Sequence, residues 1–185
     1  MKRSQYLALL AILTLVAGAI FFVRSNRSPV AIDLLAKVAT AKKQSPVTAP
    51  DQWQILDETM GGETKKAVYV TPPVRLTFEK VLIPDDGWLR LSFGIREGAW
   101  EQCTDGVLFN VIVSDGRKAD VLVEQLLDPL HNPNDRRWIP INLDLSPYAG
   151  QEVDIIFNTR AGAGKSVDTR YDWALLGQPE IYLAR

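Results

Sequence analysis

From about Pro46 onward, apolar and polar residues alternate with a period of two, in short runs broken by Gly, Pro and Asp. That spacing belongs to strands with one face in a core and the other in water. It predicts strands over 52–56, 66–70, 74–83, 88–96, 106–113, 119–127, 136–145, 152–159 and 179–185. In WLRLSFGIR, residues Leu89, Leu91, Phe93 and Ile95 share one side, with Arg90, Ser92 and Arg96 opposite. GVLFNVIV is apolar at most positions on both sides, as a central strand would be, and SDG at 114–116 follows it as a hairpin turn. DLSPYAGQEVDIIFNT, residues 144–159, reads as strand end, corner and strand. With little helix signal among them, these runs predict an all-β, two-sheet sandwich of the jelly-roll kind over 47–185.

Before Pro46 the pattern changes. After a short tail (1–5), residues 6–23 carry no charge, and Tyr6, Leu10, Leu13, Ala17, Gly18, Phe22 and Val23 mark the course of a single apolar run. As a helix it would be about 27 Å long, close to the hydrocarbon thickness of a bilayer. It predicts a transmembrane helix whose small residues Ala11, Ala17 and Gly18 suit contact with another helix. A cleaved signal peptide is the competing reading, because Lys2 and Arg3 form a basic head and Ala17-Gly18-Ala19 fits the small-residue cleavage rule. Continuation of the run through Ile20–Val23 favours the anchor.

Residues 24–46 predict a juxtamembrane amphipathic helix and linker. Ser28 suits an N-cap and Pro29 the first turn; Ile32, Leu35 and Val38 supply apolar positions, and Lys42 lies towards the C-terminal end. Such a helix would serve as a stalk or lie on the bilayer surface. The expected placement is a single pass of the inner membrane, with the sandwich on the periplasmic or extracytoplasmic side. Arg24 and Arg27 beyond the span argue for the opposite orientation.

Charge sharpens the division. Residues 1–44 hold seven basic residues against Asp33 alone, a net +6, whereas the remainder holds 14 basic and 21 acidic residues, a net −7. An acidic domain without a basic patch argues against nucleic acid as a partner. One cysteine, Cys103, and one histidine, His131, exclude an intrachain disulfide and multi-histidine metal sites by count. RAGAGKS (160–166) lacks the first glycine of a phosphate loop, whose place is taken by Thr159, and no helix signal follows it. No serine sits in a nucleophile-elbow context, and no motif singles out an acid and base among the many carboxylates. The expectation is a protein without catalytic activity.

TDGVLFNVIVSDG, LLDPLHNPNDRRWIPINLDLSPYAGQEVDIIFNT and YDWALLGQPEIYL together resemble the galactose-binding-domain-like jelly roll, in particular carbohydrate-binding-module-like domains. The likeness covers roughly 85–185 and is more specific for fold than for ligand. At the shared positions, Trp138 and Trp173 are expected to close the sandwich edges, and Tyr148 to bond nearby backbone as a tyrosine corner does. Where comparable domains carry a second Trp before Gly-x-Pro, this chain has Leu176, which implies a lost aromatic surface. The resemblance also implies that a structural calcium ion is compatible with the domain, although no ligand set stands out; no other cofactor is expected. Trp53, Trp88 and Trp100 lie away from the shared positions and are the candidate contacts to a partner or a glycan. The leading expectation is an accessory subunit docking on other integral-membrane subunits of a larger complex, for instance an energy-transducing one, with the lipid bilayer as a further partner. The alternative is a tethered carbohydrate-binding module for envelope glycans.

Overall fold

The computed structural model describes residues 29–46, 51–162 and 168–184, and the secondary structure among them is strand with a few single 3₁₀ turns. The eleven strands are β1 (Val30–Asp33), β2 (Lys42–Gln44), β3 (Ile55–Met60), β4 (Glu63–Tyr69), β5 (Val74–Leu82), β6 (Gly87–Ile95), β7 (Val107–Ser114), β8 (Ala119–Leu127), β9 (Ile139–Asp144), β10 (Glu152–Ala161) and β11 (Ala174–Leu183). One sheet runs β3-β4-β11-β6-β9, with β1 also paired to β11; the other runs β2-β5-β10-β7-β8. Every pairing is antiparallel. From β5 onward the chain passes repeatedly from one sheet to the other, so each sheet is stitched from strands distant in sequence.

Alternation decides what each strand buries. Leu89, Leu91, Phe93 and Ile95 of β6 face Val107, Phe109, Val111 and Val113 of β7 across the sandwich, and all eight are buried. The Phe93 and Phe109 rings stack with centroids 4.6 Å apart. Phe78 and Phe157, on neighbouring strands, meet edge to face at 5.9 Å. Polar groups reaching this interior are paired: the buried Thr159 hydroxyl donates to the Val70 carbonyl at 2.8 Å.

A smaller second core lies on the far side of the six-stranded sheet. It joins Met60, Ala67, Tyr69, Trp138 and Leu175. Trp138 lies flat over two glycines on adjacent strands: a Cβ at Gly94 or Gly177 would stand 3.0 or 2.9 Å from its ring. Its indole N–H donates to the Glu63 carbonyl at 3.0 Å. The residue that was expected to close an edge instead roofs the centre of a sheet. At Gly177–Glu180 the β6–β11 ladder shifts register, with Gln178 at φ 45° and Pro179 contributing no N–H. This irregularity lets β11 pair with β4 along its first half and with β1 along its second. The Gly-Gln-Pro stretch thus has a structural explanation. Leu176 beside it is buried in the main core, so the exchange of Trp for Leu changes packing and removes no surface aromatic.

The expected amphipathic helix is corrected. Ile32 lies in β1, Leu35 in a single 3₁₀ turn, and Lys42 in β2, where it faces Glu79 at 3.8 Å. Leu34, Leu35 and Val38 are buried in the main core. Burial of these three, with backbone pairing on both sides, outweighs a local helix signal that is weak over so short a segment. The Asp33 side chain accepts from the Ala36 N–H at 3.1 Å and so braces the turn, while Ser28 lies outside the described residues. The lysines of β2 line a sheet edge, where charge opposes further strand pairing.

Among the described residues the fold class is therefore an all-β sandwich over Val30–Ala184, without the amphipathic helix expected over 24–46. Among the described residues no helix is long and apolar enough to cross a membrane. Residues 6–23, to which the span with Tyr6, Leu10, Leu13, Ala17, Gly18, Phe22 and Val23 was assigned, lie outside the described residues. Single-pass inner-membrane placement, and the integral-membrane partners tied to it, thus have no described element to rest on.

Because Gly94 is overlaid by both Trp138 and the Met60 methyl, Gly94→Ala should overpack the second core and cost about 1–3 kcal/mol. Urea unfolding followed by tryptophan fluorescence checks this, and an unchanged midpoint would refute the tight roof.

Candidate functional site

The outward side of the six-stranded sheet, away from the Trp138 roof, collects aromatic and hydrogen-bonding side chains. In β6, Trp88 and Arg90 alternate with the buried Leu89 and Leu91, so they project outward. Register places Tyr182 of β11 and Asp144 of β9 on either side of Trp88. One step along, Glu180 and Asn142 flank Arg90 in the same way. Six residues from three strands form a 2 × 3 patch fixed by backbone pairing.

The patch is internally braced. The Arg90 guanidinium donates through both Nε, at 2.8 Å, and Nη2 to the Glu180 carboxylate, and lies 4.6 Å from the centre of the Tyr182 ring. The Tyr182 hydroxyl reaches Asn142 Oδ1 at 3.5 Å. Asp144 accepts from the Ser146 N–H at 2.8 Å, anchoring the turn after β9. Trp88 and Tyr182 are each half-buried and belong to neither core. Two ring faces beside a carboxylate, an amide and an ion pair can stack on an apolar ring face and hydrogen-bond its rim.

The other two candidate tryptophans do different work. Trp100, in the loop between β6 and β7, packs against both cores, donates its indole N–H to the Ile95 carbonyl at 2.6 Å, and has the Arg136 guanidinium 6.0 Å from its ring centre. Trp53 packs against the main core at φ 70°, its N–H bonded to the Tyr69 carbonyl. Trp173 joins both cores and lies against Gly98, where a Cβ would be 3.1 Å away. Of the three candidates, only Trp88 combines a strand position outside both cores with polar neighbours held in register. The Tyr148 hydroxyl donates to Asp120 Oδ2 at 3.0 Å, a side-chain contact across to β8 in place of the expected backbone bond. Burial, then this bond to an anion, pushes its hydroxyl pKa up.

Arg90, Asn142, Asp144, Glu180 and Tyr182 were missed as site residues. The alternation in WLRLSF and PEIYLAR indicates which of their residues point the same way, but not that β6 and β11 are neighbours with Trp88 opposite Tyr182.

At the sandwich end that carries the loops after β6, β8 and β10, an acid is buried without a charge partner. Asp172 is 0% exposed, Cys103 donates its S–H to it at 3.3 Å, and its Oδ2 has no partner. Burial, with a lesser push from Asp105 and Asp168, raises its pKa to about 7, and burial drives the Cys103 thiol up beside it. An inert, protonated thiol is not a nucleophile. Among the described residues no group of three or more His, Cys, Asp or Glu could hold a metal ion, so the calcium expectation has no ligand set to attach to.

Three comparisons place this geometry. No protein-family model matches the chain. An uncharacterized protein of Archaeoglobus fulgidus is 37% identical over 107 residues, which are 57% of this chain and 26% of that protein. The chain thus spans about a quarter of the curated relative it matches. Among solved structures, the CBM51-2 and INT domains of Clostridium perfringens ZmpB align over 77% of this chain and 29% of theirs, with a TM-score of 0.54 at 10% identity. The fold is that of CBM51 carbohydrate-binding modules. The ZmpB M60 catalytic domain with CBM51-1 and CBM51-2 gives a TM-score of 0.51 at 11% identity, covering 78% of this chain and 14% of that one. The CBM51-2 and INT domains with GlcNAc bound to CBM51-2 give 0.50 at 12% identity, covering 77% and 29%. Identities this low speak to the fold alone. These neighbours are binding modules, one of them solved beside a catalytic domain.

Asp172 yields a pH prediction. Between the ordinary carboxyl value of 3.8 and about 7, the folded chain holds a proton that the unfolded chain has released. Its contribution is therefore fully present below the lower value and lost as pH rises to the upper one, by at most about 1.4 kcal/mol per pH unit. Thermal melts from pH 4 to 8 should show this decline, and Asp172→Asn should flatten it. A parallel decline in the variant would assign the effect to other groups.

Proposed function

We propose that the domain is a non-catalytic carbohydrate-binding module and that it takes a sugar on the Trp88–Tyr182 patch. The observation carrying this reading is the pair of aromatic faces in register, with Asn142, Asp144 and the Arg90–Glu180 pair around them. A pyranose presents a patch of C–H groups on one face and hydroxyls around its rim. The first packs against indole and phenol; the second exchange hydrogen bonds with amide, carboxylate and guanidinium. Because both rings are held by strands, little side-chain freedom is lost on binding. The fold likeness to CBM51 modules supports the reading. The accessory-subunit reading, the leading expectation from the sequence, has no support among the described residues, where no helix is long and apolar enough to cross a membrane.

A glycan array probed with the full chain should return binding to at least one class of glycan. Trp88→Ala should weaken that binding tenfold or more, a truncation cost of about 1.4–2 kcal/mol at a central aromatic, while leaving the melting temperature nearly unchanged. Trp100→Ala should do the reverse and lower the melting temperature. An array without binding, or binding indifferent to Trp88, would sink the reading.

A further inference from the structure

The outer face of the five-stranded sheet carries a separate feature. Gln44, Arg75, Asn158, Asn110 and Glu124 follow one another in register across β2, β5, β10, β7 and β8. One half of this polar row is internally satisfied. Asn110 donates to Glu124 Oε2 at 2.8 Å, and Arg160 reaches the same oxygen at 3.2 Å. The other half is not. Arg75 forms none of the ion pairs that engage its neighbours Lys42 and Arg160, and Asn158 Oδ1 is buried without a donor.

A groove of about 580 Å³ opens at that unsatisfied half. Its walls include Lys43, Gln44, Pro73, Arg75, Asn158 and Arg160, and among the described residues no acidic side chain lines it. Among the described residues, Lys43 reaches the Ala39 carbonyl alone, at 3.4 Å. Among the described residues, Lys43 and Arg75 have no carboxylate partner and share a hollow on a segment, 45–185, whose net charge is −7. A local positive field on an acidic domain attracts anions selectively. The planar guanidinium fork matches a carboxylate with two parallel hydrogen bonds, which a lysine cannot do. The volume falls within the range of about 300–1,000 Å³ usual for small-molecule sites.

We propose that this groove holds the carboxylate of an acidic sugar unit, with Arg75 making the bidentate contact and Lys43 supplying further charge. The inference rests on the glycan reading above and adds to it a preference for uronic-acid-type saccharides at a second face. Trp88 and Arg75 lie on different sheets, so the two surfaces can be disabled separately.

The test is calorimetric titration of the full chain with galacturonic acid tetramers and with size-matched neutral galactose tetramers. The acidic tetramer should bind at least tenfold tighter, and raising the salt should erode the difference. Arg75→Gln, at an exposed position, should remove the preference without altering the melting temperature, whereas Trp88→Ala should weaken the neutral tetramer and leave the acid-specific binding at the groove in place. Equal binding of the two tetramers, still lost in Trp88→Ala, would overturn the acidic-sugar site while sparing the glycan reading. A preference that survives Arg75→Gln combined with Lys43→Gln would place the selectivity elsewhere and overturn the groove assignment. Failure of both tetramers to bind, together with an array without binding, would overturn both.

Discussion

The stacked rings of Phe93 and Phe109 meet where the inner faces of β6 and β7 touch, and this contact settles which side of each central strand is inside. Strand side chains alternate strictly, so a slip of one residue would turn every outward group inward. With Leu89, Leu91, Phe93 and Ile95 committed to the core, Trp88 and Arg90 are committed to the outside. Backbone pairing to β9 and β11 then delivers Asp144, Asn142, Glu180 and Tyr182 beside them. The same logic on the opposite sheet lines up the row from Gln44 to Glu124. The aromatic patch and the polar row both sit on strands, so both follow from core packing.

The second core shows how one large side chain organises a face. Trp138 occupies the space that two glycines leave on adjacent strands and ties the β3–β4 hairpin down through the Glu63 carbonyl. It thereby covers part of the six-stranded sheet, leaving the Trp88 end uncovered. The irregularity at Gly177–Glu180 completes the division, because β4 flanks β11 near the roof and β1 flanks it near the patch. Buried Asp172 at the loop end is a destabilising feature by comparison, tolerated because it ionises only as the pH approaches neutrality.

Much of the sandwich was legible in the pattern. Runs such as 74–83, 88–96, 119–127 and 152–159 lie almost where β5, β6, β8 and β10 form, because their alternation is strong and their ends carry Gly, Pro or Asp. The segment before Pro46 misled for a physical reason. Leu34, Leu35 and Val38 recur at a helical spacing, yet the same three residues fill one 3₁₀ turn whose apolar side is buried by the sandwich. β1 and β2 are short edge strands with weak patterns of their own, and only pairing to β11 and β5 makes them strands.

What the amino-acid sequence determined by itself was local: the alternation of the central strands, the turn positions, the absence of disulfide and multi-histidine chemistry, and the outward side of Trp88 relative to Leu89. Tertiary structure decided the rest, because contacts between residues far apart in the chain leave no periodic trace. It set Tyr182 next to Trp88 across more than ninety residues of chain, folded Trp100 and Trp53 against the cores, and gathered Lys43, Arg75 and Asn158 around one groove. Strand identity is a matter of spacing along the chain, whereas a binding surface is a matter of which strands become neighbours.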